Sequence, residues 1–334
     1  MLGRIMIVDA HLDLAYNAML GRDLTLSLGA LREQDPLTDR ATVTFETLRR
    51  GGVGLCLGTL FAMPQDAAHP WGYEDWQGAR AQAQRQLEQY LRWQDHGHVV
   101  LLTSGQEVVE HARRWSADTS PLGVVLLMEG ADPLRAADDL PYWAGAGVRV
   151  IGPAWKRTRF AGGTGESGGL TERGEDLMVA MRELGVILDA SHLAEEAFWQ
   201  AINLQPKVIA SHSNARAIVP TDRHLSADML RAVAQLGGVT GCVLFNKFLR
   251  AGWERGDARL PLELVGEMLH HLAQEVGWDK VGLGSDLDGG FGVHELPRGL
   301  ESAADLPRLA QLLPDEHREQ VMGGNWLKWL GAQL

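Results

Sequence analysis

Cysteine is nearly absent. The two that occur among 334 residues, Cys56 and Cys242, each lie inside an apolar run that reads as a buried strand. That excludes a disulfide framework and points to two buried free thiols. No apolar run approaches the roughly 18 residues that a membrane-crossing helix needs, so no membrane partner is expected. Met1 to Arg4 lead at once into the strand-like stretch Ile5 to Val8 and then into charged residues, too short for the core of a signal peptide; the expectation is a cytoplasmic protein. Basic charge is also in deficit. The formal charge of −12 excludes nucleic acid as a partner, because polyanion binding needs a basic patch that releases counterions. Glycine-rich phosphate loops are missing as well: no G-x-G-x-x-G opens a helix after the first strand, which disfavours a doubly wound nucleotide-binding sheet.

What is present is a repeated alternation. Short β-branched runs recur eight times, at Ile5 to Val8, Val53 to Leu60, Val124 to Leu127, Val148 to Ile151, Val186 to Leu188, Val208 to Ile209, Val239 to Leu244 and Val281 to Leu283. Between most of them lie segments of helical periodicity, such as Trp76 to Trp93, Glu172 to Leu184, Ala194 to Ile202, Ala227 to Leu236 and Leu262 to Val276. Strand then helix, eight times over, predicts one (β/α)8 barrel spanning residues 1–334, with the C-terminal helices from about 303 packing on it. Gly185, Gly237 and Gly277 follow helices and precede strands, where left-handed caps are expected. The run Val99 to Leu102 reads as an excursion before the third strand. Phe160 to Leu170, with five glycines, reads as a mobile loop over the site.

In such a barrel, chemistry sits at the C-terminal ends of the strands. The first strand ends Val8-Asp9-Ala10-His11-Leu12-Asp13, and residues two apart share a strand face, so His11 and Asp13 are able to point inward together. The third ends in Glu129, the fifth in Asp189-Ala190-Ser191-His192, the sixth in Ser211-His212-Ser213 and the eighth in Ser285-Asp286-Leu287-Asp288. Three imidazoles and several carboxylates on one rim suit a borderline cation such as zinc, and a bridging carboxylate lets two ions share the site. The other nine histidines lack such a setting. Asp9 and Asp189 divide evenly between that rim and the support of a turn.

The blocks Asp9-Ala10-His11-Leu12-Asp13, Met128-Glu129-Gly130, Leu188-Asp189-Ala190-Ser191-His192, Ser211-His212-Ser213-Asn214-Ala215-Arg216 and Gly284-Ser285-Asp286-Leu287-Asp288-Gly289, in that order, resemble the membrane dipeptidase (renal dipeptidase) family of zinc metallopeptidases, within the wider amidohydrolase-like superfamily. With Gly147-Val148-Arg149 and Gly324-Asn325-Trp326-Leu327 the resemblance spans almost the whole chain. It implies a binuclear zinc site in which His11, Asp13 and Glu129 bind one ion, Glu129 bridges, and His192 and His212 hold the second. It also implies Asp286 as acid/base, Arg223 as the reader of a dipeptide's free carboxylate, a small-molecule dipeptide as substrate, and a homodimer. A guanidinium fork suits a carboxylate bidentately.

One position departs from the family. Trp155, in Ile151-Gly152-Pro153-Ala154-Trp155-Lys156, stands where the family carries a histidine that contacts the scissile carbonyl region. An indole donates one hydrogen bond but takes up no proton, so electrophilic help falls to the metals or to Lys156 or Arg159. The expected reaction is attack on the amide by a metal-bridging hydroxide, with Asp286 passing the proton to the leaving amine. Two alternatives stand beside it: an amidohydrolase of another small or cyclic amide, with Lys156 carboxylated between the metals, and a metal-binding homologue without turnover.

Overall fold

The computed structural model describes residues 5–117 and 119–334; Met1 to Arg4, read above for a leader, lie outside the described residues. Eight parallel strands form the barrel: β1 (Ile7–Leu12), β2 (Val53–Phe61), β3 (Leu122–Glu129), β4 (Val148–Gly152), β5 (Ile187–Asp189), β6 (Val208–Ile209), β7 (Thr240–Cys242) and β8 (Val281–Leu283). They run in the order β7-β8-β1-β2-β3-β4-β5-β6, and the parallel bridge between Ala210 and Thr240 closes the ring. The fold is therefore a (β/α)8 barrel. The Val99–Leu101 segment is a ninth strand, paired in parallel with β3 but outside the ring.

Local chemistry sets the helix ends. Ser104 and Glu107 form a reciprocal capping box ahead of the helix Gly105–Arg114, and Thr171 caps the helix Glu172–Leu184 through the Gly174 amide. That helix ends in Gly185 with φ 70°, the left-handed cap its sequence predicts. Gly277 differs: its φ is positive, but ψ of 148° is extended, so it is a sharp exit and not a left-handed cap.

The glycine-rich stretch is not an irregular loop. It is an antiparallel hairpin of Ala161–Gly163 and Glu166–Leu170. The glycines serve close backbone approach: a Cβ on Gly162 would sit 2.5 Å from the Gly168 carbonyl oxygen, and one on Gly163 2.4 Å from that of Lys156. Composition without alternation hid these strands.

Side chains divide into an outer layer, between strands and helices, and a smaller inner cluster. The inner one joins Val8, Leu55, Leu57, Val125, Leu127 and Val150 to Trp326, Trp329 and Leu330 of the C-terminal helix Asn325–Gln333. Asn325 Nδ2 donates to the carbonyls of Trp278 and Val281 at the start of β8, and Gly323 lies against Met6 and Val8 at the start of β1. The C-terminal helix thus closes the barrel at the end opposite its mouth. The fully buried Trp326 indole fills the space that Gly282 leaves in β8 and donates to the Leu283 carbonyl at 3.0 Å. Among the described residues no helix is long and apolar enough to cross a membrane.

Candidate metal centre

Val8 and Ala10 belong to the inner cluster, so strict alternation would turn Leu12 inward and His11 away. The register against β2 slips instead: Asp9 faces Cys56 and Leu12 faces Gly58, one extra residue on β1. This bulge sends Leu12 to the outer layer and His11 and Asp13 to the mouth. The pairing of His11 with Asp13 was legible; the bulge that permits it was not.

At the mouth the predicted residues converge. His11, Asp13 and Glu129 form one group of donor atoms lying within 4.8 Å of one another, and Glu129, His192 and His212 form a second. Glu129 belongs to both. Its Oε1 lies 3.6 Å from His11 Nε2, 3.2 Å from His192 Nε2 and 3.3 Å from His212 Nε2. His192 Nε2 and His212 Nε2 are 3.0 Å apart.

The far side of each ring explains its orientation. Ser211 Oγ donates to Asp189 at 2.5 Å and so accepts from His212 Nδ1 at 2.8 Å, which leaves the Nε2 lone pair facing the centre. Thr164 Oγ1, from the hairpin turn, holds His192 Nδ1 at 3.0 Å in the same way. Thr59 of β2 donates to Asp13. The roles of Thr59 and Thr164 were not identifiable from sequence, because each acts on a residue of another segment, whereas Ser211 stands next to the imidazole it orients. Asp189 lies near His11 and His212, but its oxygens take the Ser211 hydroxyl and the amides of Ser191 and Ser211. Asp9 likewise accepts from the Ser285 amide at 2.8 Å and from its hydroxyl. Both hold strand-end turns.

The electrostatics call for a cation. Burial opposes charge on His11, yet the carboxylates of Glu129, Asp13 and Asp286 outweigh it and raise the imidazole to about 10. Burial and the neighbouring Glu129 push Asp13 up to about 6. Burial raises Asp286 well above the usual carboxylate range, and lowers His192 to about 4. His11 Nε2 is buried without a hydrogen-bond partner. An inward-facing orphan nitrogen, two neutral imidazoles and the carboxylates of Asp13 and Glu129 are a donor set that divalent cations fit.

His192 (φ 66°), Asp286 (φ 61°) and Asp288 (φ 63°) are, among the described residues, the only non-glycines with positive φ, and all three line the mouth. Backbone held in that region marks sites where position outweighs comfort. Asp288 carries a structural duty: it accepts from the amides of Thr42 and Val43 and lies 3.6 Å from Arg22, tying the segment after β1 to the rim.

Above the centre opens a cavity of about 530 Å³. Arg223 reaches into it from the segment after β6, only 5% exposed, with Nη2 on the His212 carbonyl at 2.8 Å and both Nε and Nη1 buried without partners. Trp155 also lines the cavity, edge-on to Phe61 with centroids 5.1 Å apart. Lys156 stands at the rim, 3.6 Å from Asp66. Arg159 is occupied elsewhere, bonded to Asp132 and to the carbonyl of Leu134, and does not line the cavity.

A (β/α)8 barrel with clustered His, Asp and Glu donors at its mouth is the frame of a metal-dependent enzyme. The family model for membrane dipeptidase, peptidase family M19, matches residues 1–333, and the chain belongs to that family. An uncharacterized Klebsiella pneumoniae protein encoded in the pqqA 5′ region is 37% identical over 222 residues, covering 63% of this chain and 80% of the relative. Two crystal structures superpose along nearly the full length. One, a family M19 metallopeptidase called dipeptidase AC, gives a TM-score of 0.83 at 25% identity and covers 98% of each chain. The other, a Rhodobacter sphaeroides metallopeptidase liganded with a phosphinate mimic of the dipeptide L-Ala-D-Ala, gives 0.81 at 25% identity and covers 99% of each.

Proposed function

We propose that this hydrolase is a dipeptidase cleaving the amide bond of dipeptides with a free C-terminal carboxylate, and that it works with two divalent metals, zinc by preference. The observation that carries the reading is one cavity holding both the doubly shared Glu129 and the unpartnered Nε and Nη1 of Arg223. His11, Asp13 and Glu129 would hold one ion; Glu129, His192 and His212 would hold the other. Bound there, the ions supply Lewis acidity toward a carbonyl and bring a water's pKa into the neutral range. The chain's own residues supply the rest. Arg223, with N–H groups left free, donates to the substrate carboxylate, which sets the amide over the centre. Asp286, whose proton affinity burial raises, accepts the proton of the attacking water and returns it to the departing amine nitrogen. Trp155 takes up no proton; it shapes the space beside the carbonyl. The phosphinate dipeptide mimic bound by the Rhodobacter relative supports this substrate class. Residues 1–334 act in this reading as one catalytic domain.

The test is metal analysis of the purified protein together with turnover of a dipeptide panel, including D-residues at the second position. About two ions per chain are expected. One tight ion, with none gained on adding zinc, would show the binuclear reading to be wrong. C-terminal amides should be poor substrates, and Arg223→Ala should raise the Michaelis constant of free dipeptides roughly 10- to 100-fold, as loss of a charge-assisted hydrogen bond does. Equal cleavage of amides and free acids by the wild type would remove Arg223 from that role.

A further inference from the structure

The cavity has aromatic lining on two sides, one of them Phe245, Phe248 and Phe291 beside Arg223. Tyr16 and Leu20 after β1, Phe61 and Met63 at the end of β2 and Trp155 after β4 form an apolar cluster separate from both layers of the barrel core, and Trp71 lies beyond Tyr16. Tyr16 meets Phe61 edge-on at 5.0 Å between centroids, and Phe61 meets Trp155 at 5.1 Å. A small satellite core under a loop would be covered by the protein itself. Here all six residues line the cavity, and Trp71 is 51% exposed. This apolar surface faces open space beside the reacting centre.

Its place relative to the scissile bond follows from the ring of strands. Phe61 ends β2, and Arg223 follows β6, four strands away in a ring of eight and so across the mouth. Glu129 and the three imidazoles lie between them. A dipeptide held by its carboxylate at Arg223, with its amide over that centre, lays the amino-terminal residue on the aromatic side. The cluster itself carries no formal charge. On its outer side the charged groups Lys156, Asp66 and His69 are paired with one another at the rim, with 2.8 Å between His69 and Asp66 and 3.6 Å between Lys156 and Asp66, and on its inner side it borders the centre itself, where Glu129 is the register partner of Phe61. A carboxylate side chain would lose water there and gain no partner, whereas a ring would gain edge-to-face contacts.

Resting on the dipeptidase reading, we infer that Tyr16, Phe61, Met63, Trp71 and Trp155 form a subsite for a bulky apolar, preferably aromatic, side chain on the amino-terminal residue of the substrate. Trp155, which departs from the family pattern, completes this subsite.

The experiment measures kcat/KM of the zinc-loaded enzyme for X-Ala dipeptides with X as Gly, Leu, Phe, Lys and Asp, and for Ala-X as the control. Calorimetry adds the binding of phosphinate analogues of Phe-Ala and Gly-Ala. Phe-Ala should exceed Gly-Ala by roughly 10- to 100-fold, the scale of burying one large apolar side chain. Trp71→Ala, at a half-exposed position, and Trp155→Ala should each shrink that ratio while the Ala-Phe to Ala-Gly ratio stays put. A flat profile, or a preference for Lys or Asp at the first position, overturns the subsite and leaves the dipeptidase reading standing. Absence of turnover for every dipeptide, with the analogues still bound in the expected ratio, overturns the reaction and keeps the subsite. Analogue binding without preference overturns the subsite.

Discussion

The two ends of the barrel are built on opposite principles. At the mouth, acidic groups and imidazoles are buried together, three non-glycine residues sit at positive φ, and polar atoms on His11 and Arg223 have no protein partner. At the other end, Trp326, Trp329 and Leu330 pack against the inward residues of the strands, and the indole N–H finds a carbonyl. One end forgoes satisfaction among its own groups and gains a place for ligands; the other closes the core. Stability and chemistry are therefore expected to separate along the barrel axis, as conservation of function at one face of such barrels suggests in general.

The largest expected effect breaks that comparison from below. Trp326→Ala removes a fully buried indole and should cost about 3 to 5 kcal/mol of stability, read from the denaturant midpoint, while turnover of the folded fraction stays the same. Lost turnover at unchanged midpoint would mean that the closed end takes part in the chemistry. From above, Asp286→Asn should lower turnover roughly 10²-fold or more with metal content intact. It should not lower the midpoint, since the native state no longer holds a carboxylate whose charge burial opposes. A near-wild-type rate would take Asp286 out of the mechanism.

The smallest effect sharpens the comparison by pH. His224, beside Arg223, is buried with neither ring nitrogen bonded, and burial, then Arg223, lowers it to about 3. The unfolded chain protonates this group near 6.5 and the folded chain does not, so the stability it preserves is full above 6.5 and falls away as pH drops toward 3. At pH 5 the loss amounts to about 2 kcal/mol. His224→Leu should leave stability at neutral pH nearly unchanged and flatten the acid limb between pH 6.5 and 4, measured by denaturant midpoints at a series of pH values. An acid limb of unchanged slope would assign the loss to other groups.

The difference between the ends also governs what a sequence reader sees. Strands and helices announced themselves by period, and the helix Glu172–Leu184 has the predicted limits. The residues now gathered at the centre each follow an apolar run, so the topology of a barrel brings them to one rim. Hidden were the features that depend on distant partners. Ser211 and Ser285 sit inside the recognisable blocks, yet their service to Asp189 and Asp9 links positions up to 276 residues apart. The β1 bulge is a mismatch between two strands and belongs to neither alone. The glycine hairpin showed no alternation, because its glycines answer to backbone crowding and not to a buried face. The aromatic wall was invisible for the same reason, as Tyr16, Phe61 and Trp155 come from three separate segments.

The indole beneath Gly282 has a consequence for synthesis. Translation makes all eight strands before residue 326. Until then the inner cluster lacks Trp326, Trp329 and Leu330, so the nascent ring carries an open apolar end. Such unfinished surfaces are what chaperones hold and what aggregation begins from. Completion of the core thus comes after all eight strands have been made, by a segment that follows them in the chain.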